Sequence, residues 1–354
     1  MLFQINYISF LGASCTAQRV DHRTGEITGY VEYFRRYCAN NFMIKGVYQN
    51  TYPGNRFAGA GWIKLEDVIA LGVDICILEL LVEDYSRGSD STLNDYLSAC
   101  KALTEAKILP IFLNLPKGGI NPSENWNNFK VLQSISSEFN VPTIIIEPPN
   151  HLLQTIDEMF NGQNHTKLLG AKYYAESLAT KLVPFLVDKD KYISAIQIPG
   201  NIRKRCVVQL GDLASLGADK KIYKISLRIK NNDPKNKNIS IIQLHQIGKF
   251  SPVIEVSCQS ESGDLFHSQI QSLWDPFCHY LRASYLEIKV PILENFTLIQ
   301  IKVSDQLPNY SLCKQLCYFD EFKDINSRYM QPIGRVSVAS FGAISVEQSY
   351  VSYS

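Results

Sequence analysis

The segment Leu11-Gly12-Ala13-Ser14-Cys15-Thr16-Ala17-Gln18 places a serine directly after an apolar run and behind two small residues. If that run is a buried strand, Ser14 sits at the carboxyl edge of a sheet. Its hydroxyl can then face a cleft while nearby backbone N–H groups point at a developing oxyanion. A serine hydroxyl is a weak nucleophile until a base takes its proton. Of the 6 histidines, His165 has the setting for that task. Asn164-His165-Thr166-Lys167-Leu168-Leu169-Gly170 leads directly into an amphipathic stretch, so the imidazole lies in a loop before a helix, at the same end of the sheet as Ser14. A neutral imidazole within reach of the hydroxyl would accept its proton. His22, His151, His245, His267 and His279 lack a comparable setting. Serines in strand–helix loops and solvated loop histidines are both common, so the pair gains weight only from the elements that position it.

Those elements alternate. Residues 3–11, 42–48, 74–81, 107–113 and 141–146 read as buried strands, and 74–81 contains the nearly unbroken run Ile-Cys-Ile-Leu-Glu-Leu-Leu expected of a strand covered on both faces. Between them, 63–71, 91–106, 124–139 and 167–186 carry helical periodicity. In the second, Leu93, Tyr96, Leu97, Cys100 and Leu103 share one face, and Ser91-Thr92 supplies an N-cap. Alternation of this kind predicts an α/β fold, a doubly wound parallel sheet whose ligands bind beyond the carboxyl ends of the strands.

From about residue 190 the period changes. Segments 191–198, 206–210, 221–229, 239–247, 253–258, 285–290 and 296–303 read as strands, several alternating apolar and polar residues as in Ile-Tyr-Lys-Ile-Ser-Leu-Arg-Ile. The polar run 231–238 reads as a hairpin loop. Many short strands between turns predict an antiparallel β-sandwich. The expected domains are 1–188, α/β, and 189–354, β-sandwich.

Bulk properties narrow the partners. With 354 residues, 45% hydrophobic, 19% charged and a net charge of +1, the chain is globular and offers no electrostatic reason for a nucleic-acid partner. No stretch approaches the roughly 20 apolar residues of a membrane span, and the N-terminus has neither a basic region nor a long apolar core, so a cytoplasmic location is expected. The 9 cysteines are irregularly spaced and fit reduced, buried thiols. Cys313 and Cys317 lack a second pair to complete a zinc site. The aromatic group Trp274, Phe277, His279 and Tyr280 reads as core before it reads as a sugar platform. The sequons at Asn238 and Asn295 carry little weight without a secretory signal.

Taken in order, the chemical segments resemble the SGNH or GDSL hydrolase superfamily over about residues 3–186. Gly12-Ala13-Ser14 stands for its Gly-Asp-Ser block. Gly61 or Gly59, in Ala58-Gly59-Ala60-Gly61-Trp62, stands for the second-block glycine. Leu81-Val82-Glu83-Asp84 stands for the third block, Gly-x-Asn-Asp. His165 and Gly170 match the last block, a histidine with a glycine five positions later before the final helix. The resemblance implies a three-layer α/β/α domain and ester chemistry through an acyl-enzyme on Ser14, with His165 as base.

Three positions depart from that pattern. Ala13 replaces an Asp that is not the nucleophile. Glu83 stands where the family has an oxyanion-hole Asn, and an ionised carboxylate cannot donate a hydrogen bond. Either its carboxyl is held protonated, or it points away and the backbone N–H groups of Ser14 and Gly61 serve. Gly162 occupies the place of the triad carboxylate three before His165. Either Asp157 substitutes, or a Ser–His dyad works with a carbonyl orienting the imidazole. Family members with an attached β-sandwich often act on carbohydrate esters, so the expected function is an O-acyl, chiefly O-acetyl, esterase on a glycan, with no cofactor and no metal. An O-acetyltransferase using the same Ser–His pair, with acetyl-CoA as donor, is the nearest alternative. A non-catalytic binding protein on a degenerate hydrolase scaffold is the other. The β-sandwich offers a surface for oligomerisation.

Overall fold

Strand β1 (Tyr7–Gly12) is buried along almost its whole length. With β2 (Gly46–Thr51), β3 (Ile75–Glu79), β4 (Leu109–Asn114) and β5 (Thr143–Ile145) it forms one parallel sheet. The computed structural model describes residues 5–19, 24–42, 44–52, 57, 61–81, 90–116, 126–147, 156–161, 165–200, 202, 204–209, 222–247, 252–273, 282–304, 306, 332–340 and 344–353. All five residues of β3 and all six of β4 are buried, which explains why these strands read as continuous apolar runs and do not alternate.

The strand order is β2-β1-β3-β4-β5. The chain leaves β1 for one edge and β3 for the other, so the order reverses between these two neighbours. Helices α1 (Ser14–Ala17) and α2 (Tyr30–Asn41) follow β1, α3 (Trp62–Ala70) follows β2, α4 (Asp90–Glu105) follows β3 and α5 (Asn127–Phe139) follows β4. The one-turn α6 (Ile156–Met159) and a two-strand ladder, β6 (Phe160–Asn161) with β7 (His165–Thr166), precede the long α7 (Leu168–Val187). Helices α2 and α7 pack on one face of the sheet, where Phe34 and Leu178 join Ile8, Phe10, Ile75 and Ile77 in one core. On the opposite face Phe112 of β4 meets Tyr96 of α4.

Helix α2 is not among the helices expected from periodicity, although Tyr30, Val31, Phe34 and Cys38 are its buried residues and recur on one helical face. Residues 191–198, expected as a strand, also differ. The chain there forms a further helix, α8 (Lys189–Ala195). Asp188 is its N-cap, accepting the Lys191 N–H at 3.3 Å, and Asp190 lies in its first turn, the acidic start that a helix dipole favours. This helix belongs to the α/β unit. Lys189 pairs with Asp74 at 3.1 Å, Tyr192 meets Phe185 edge to face with ring centroids 4.7 Å apart, and Ile193 and Ile196 pack against the sheet's core. The compact units accordingly divide as Met1–Ile202 and Arg203–Ser354, later than the expected division after 188.

The second unit is a sandwich of a four-stranded and a five-stranded antiparallel sheet. Numbering on from β8 (Lys204–Gln209), β9 (Ile222–Asn231), β10 (Asn238–Ile247), β11 (Val253–Gln259), β12 (Leu265–Ser272), β13 (Arg282–Pro291), β14 (Phe296–Val303), β15 (Pro332–Ser340) and β16 (Ile344–Tyr353), the orders are β13-β10-β15-β8 and β12-β11-β14-β9-β16. Strict alternation in β14 and the inward Ile225, Leu227 and Ile229 of β9 fill the space between the sheets. Three strands, β12, β15 and β16, are absent from the sequence reading.

The run 231–238 is not a hairpin, because β9 and β10 lie in different sheets. It is the corner that carries the chain from one sheet to the other. Buried Asn231 holds it: its Nδ2 donates to Asn236 O at 2.9 Å and Leu293 O at 3.0 Å, and its Oδ1 accepts from Asp233 N–H at 3.2 Å.

Candidate active site

The strand order reverses between β1 and β3, and it is at the carboxyl ends of such neighbours that open α/β sheets bind ligands. Ser14 is there. It is the first residue of α1, half-buried, two residues past the end of β1. The turn that presents it is built from below. Thr16, fully buried, donates its hydroxyl hydrogen to Glu79 Oε2 at 3.2 Å and accepts from Tyr30 OH at 3.0 Å. Glu79, the last residue of β3, is itself fully buried. Burial first, and then the charge of Glu79, push the Tyr30 phenol well above its ordinary range, so it stays protonated and remains a donor. Tyr174 of α7 is raised the same way, by burial, by Cys15 and by Glu79.

Gly12 is explained by this arrangement. A Cβ there would lie 2.2 Å from Thr16 Oγ1 and 3.0 Å from Glu79 O. The glycine lets α1 fold back tightly enough for the Thr16 hydroxyl to reach the carboxylate. Ala13 is buried as well, which suits a small residue at that point.

His165 enters from far along the chain. It is exposed on β7, a strand of two residues whose other member, Thr166, is 3% exposed. One edge of β7 pairs with β6, Asn161 opposite His165. Helix α1 lies alongside β7, so the elements bearing Ser14 and His165 are brought together. The link is Gln18, the residue that ends α1. Its Oε1 accepts the Thr166 N–H at 2.9 Å and its Nε2 donates to Thr166 O at 3.1 Å. A cleft of about 400 Å³ borders this junction, lined in part by Gln18, Glu26, Glu158, Thr166 and Lys167.

The remaining expected residues divide by what the structure describes. Gly61 immediately precedes α3, and a Cβ on it would meet the Phe57 ring at 2.4 Å. Packing alone therefore demands glycine there. Gly170 is required for a similar reason, because its Cβ would lie 2.3 Å from Met159 O where the Lys167 N–H donates to that same carbonyl at 2.7 Å. The glycine five positions after His165 thus seats α7 against α6. Asp157 lies within α6, and its side chain is outside the described residues. Gly59, Glu83 and Gly162 lie outside them too, as do Cys313, Cys317 and the group Trp274, Phe277, His279 and Tyr280.

Thr16, Gln18 and Glu79 are absent from the sequence reading. One signal for Glu79 was available: it is the only charged residue in the apolar run that forms β3. Among the described residues, Cys15, Cys38, Cys76, Cys100 and Cys258 are buried and form no disulfide, and burial pushes the Cys38 and Cys258 thiols up to about 12. No group of metal-ligating side chains occurs among the described residues, and no helix there is long and apolar enough to cross a membrane.

Comparison with solved structures gives the same architecture over nearly the whole chain. A two-domain esterase active on acetylated mannans superposes with a TM-score of 0.57 at 14% identity, covering 94% of this chain and 90% of that one. The same esterase co-crystallised with mannopentaose gives 0.57 at 15% identity over 94% and 90%. The chain therefore shares the fold of that two-domain protein, an α/β unit followed by an antiparallel β unit. No protein-family model matches the chain, and no curated protein matches it in sequence.

Proposed function

We propose that this protein is an O-acetyl esterase acting on a carbohydrate, with Ser14 as nucleophile and His165 as general base. The observation that carries the reading is the meeting of α1 with β7, at the carboxyl ends of β1 and β3, where Ser14 begins its helix. The substrate class is supported by the esterase of like fold, which acts on acetylated mannans.

In this reaction Ser14 Oγ attacks the acetyl carbonyl while its proton passes to the His165 imidazole. The tetrahedral oxyanion is met by backbone N–H groups, that of Ser14 first, since preorganised amides beside the nucleophile stabilise the charge that develops on the carbonyl oxygen. Collapse breaks the bond to the sugar oxygen, which leaves with the proton from His165. Water then gives a proton to His165 and attacks the acetyl-serine, acetate departs, and Ser14 regains its hydrogen. With Gly162 in place of a carboxylate, the pair works as a dyad, the imidazole oriented by a backbone carbonyl. Water as acceptor requires no cofactor.

The test is acetate release from an acetylated mannan and from a small acetyl ester, with no sugar acceptor added, beside labelling by a fluorophosphonate. The full chain is expected to release acetate and to label once, at Ser14. Ser14→Ala and His165→Ala are each expected to lower kcat by at least about 10³-fold. Absence of both turnover and labelling in the native chain would overturn the proposal. Turnover only when acetyl-CoA and a glycan acceptor are supplied would favour the transferase.

A further inference from the structure

Ser14 and His165 stand on elements that meet only in the folded chain, and β7 is too short to hold its own place. Two residues of strand make few ladder bonds, yet Thr166 is 3% exposed, so its N–H and C=O both need partners away from water. Both are met by one side chain. The Gln18 amide accepts from Thr166 N–H at 2.9 Å and donates to Thr166 O at 3.1 Å, the two-point pairing that a neighbouring strand residue would make. The Thr166 hydroxyl lies 3.3 Å from the same Gln18 Oε1 and reaches Thr28 O more closely, at 2.6 Å.

Gln18 is in turn fixed from behind. Its carbonyl accepts from Gln49 Nε2 at 3.2 Å, and that same amide of β2 also donates to Thr16 O within α1. Gln49 Oε1 accepts from Arg19 Nε at 3.0 Å. The chain crosses so closely here that a Cβ on Gly29 would lie 1.9 Å from Gln18 O. The turn that ends the Ser14 helix is thus pinned to β2, and from that pinned turn one amide reaches the residue beside His165.

We propose that Gln18 is a positioning residue that holds the His165 strand in register with the Ser14 helix. This rests on the reading of Ser14 and His165 as nucleophile and base. The geometry needs a glutamine. Asparagine is one methylene short. An ionised glutamate keeps the acceptor for Thr166 N–H but turns a second oxygen against Thr166 O. A displacement of about 1 Å between reacting groups costs on the order of 10²-fold in rate.

The experiment uses the full chain and a small acetyl ester. Gln18→Leu is expected to lower kcat by about 10–100-fold with KM changed by less than about twofold, and to slow fluorophosphonate labelling in proportion. Hydrogen exchange reads the pairing without reference to catalysis: the Thr166 amide is slow in the native chain and fast in Gln18→Leu. In Gln18→Glu, kcat relative to the native chain at the same pH is expected to rise as pH falls through about 4, because protonation returns a donor to Thr166 O. Native kcat in Gln18→Leu, with Ser14→Ala and His165→Ala inactive, overturns the positioning role alone. An unchanged Thr166 amide overturns the pairing. Full activity in Ser14→Ala removes the reading beneath it and the proposal with it. If Gln18→Leu does not fold, a pH-independent ratio in Gln18→Glu overturns the proposal.

Discussion

At the residue scale a costly feature is Glu79, a carboxyl with no exposed surface. Taking such a group out of water is unfavourable unless its oxygens are met by donors. Thr16 supplies one, and Tyr30, kept protonated by burial and by Glu79 itself, completes the chain of hydroxyls. The arrangement depends on the missing side chain at position 12. Gly12→Ala places a methyl 2.2 Å from Thr16 Oγ1, so α1 must shift or the hydroxyl must leave the carboxylate. The expected cost is about 1–3 kcal/mol in urea unfolding, with a lower kcat from a displaced Ser14. Unchanged stability and activity in that variant would mean the contact is not structural. Ser14 and Gly12 were legible as a small-residue segment behind a strand. Thr16 and Gln18 were not, because their partners Glu79 and Thr166 lie 63 and 148 residues away in sequence and only the closed sheet brings them near. His165 and Gly170 were legible as a motif, but the reason for the glycine, a carbonyl of Met159 beneath it, was not.

At the element scale, strands buried on both faces announced themselves, as did the helices that follow β2, β3 and β4 and the long α7, but α2 was missed despite its apolar face. The other failure was a short helix read as a strand. In Tyr192-Ile193-Ser194-Ala195 the two-residue period imitates a strand, while the signals that decide it are polar and lie upstream, in Asp188 and Asp190. Its anchor is Asp74. Burial pushes that carboxyl up, but the N–H groups of Asn6 and Tyr7 and the Lys189 ammonium outweigh it and hold its pKa below the ordinary 3.8. Because the folded carboxyl is the stronger acid, the unfolded chain takes up the proton first as pH falls. The stabilisation is therefore full above about pH 5 and is lost as pH drops through the lowered value. Asp74→Asn is expected to unfold at lower urea than the native chain at pH 7, by about 1–2 kcal/mol, with the difference shrinking toward pH 3. A difference that does not change with pH would show that the charge of Asp74 contributes nothing.

At the scale of the whole molecule, the change from helical to two-residue periodicity near residue 190 located two units, but the helix α8 moved their division to Ile202. Each unit has a core of its own, one built on the parallel sheet with α2 and α7, the other between the two antiparallel sheets. Both are of a size that folds independently. The position of the boundary has a thermodynamic consequence. A chain ending after 202 keeps Lys189 on Asp74, Tyr192 on Phe185, and Ile193 and Ile196 against the core. A chain ending after 188 loses all four and bares Phe185. At about 1 kcal/mol for each partly buried apolar side chain, the shorter segment is expected to be less stable by roughly 3 kcal/mol, read as a lower urea midpoint. The longer segment is expected to unfold in a single cooperative transition and to keep its fluorophosphonate labelling at Ser14. Equal midpoints for the two segments would place the boundary at 188 after all and make α8 a linker.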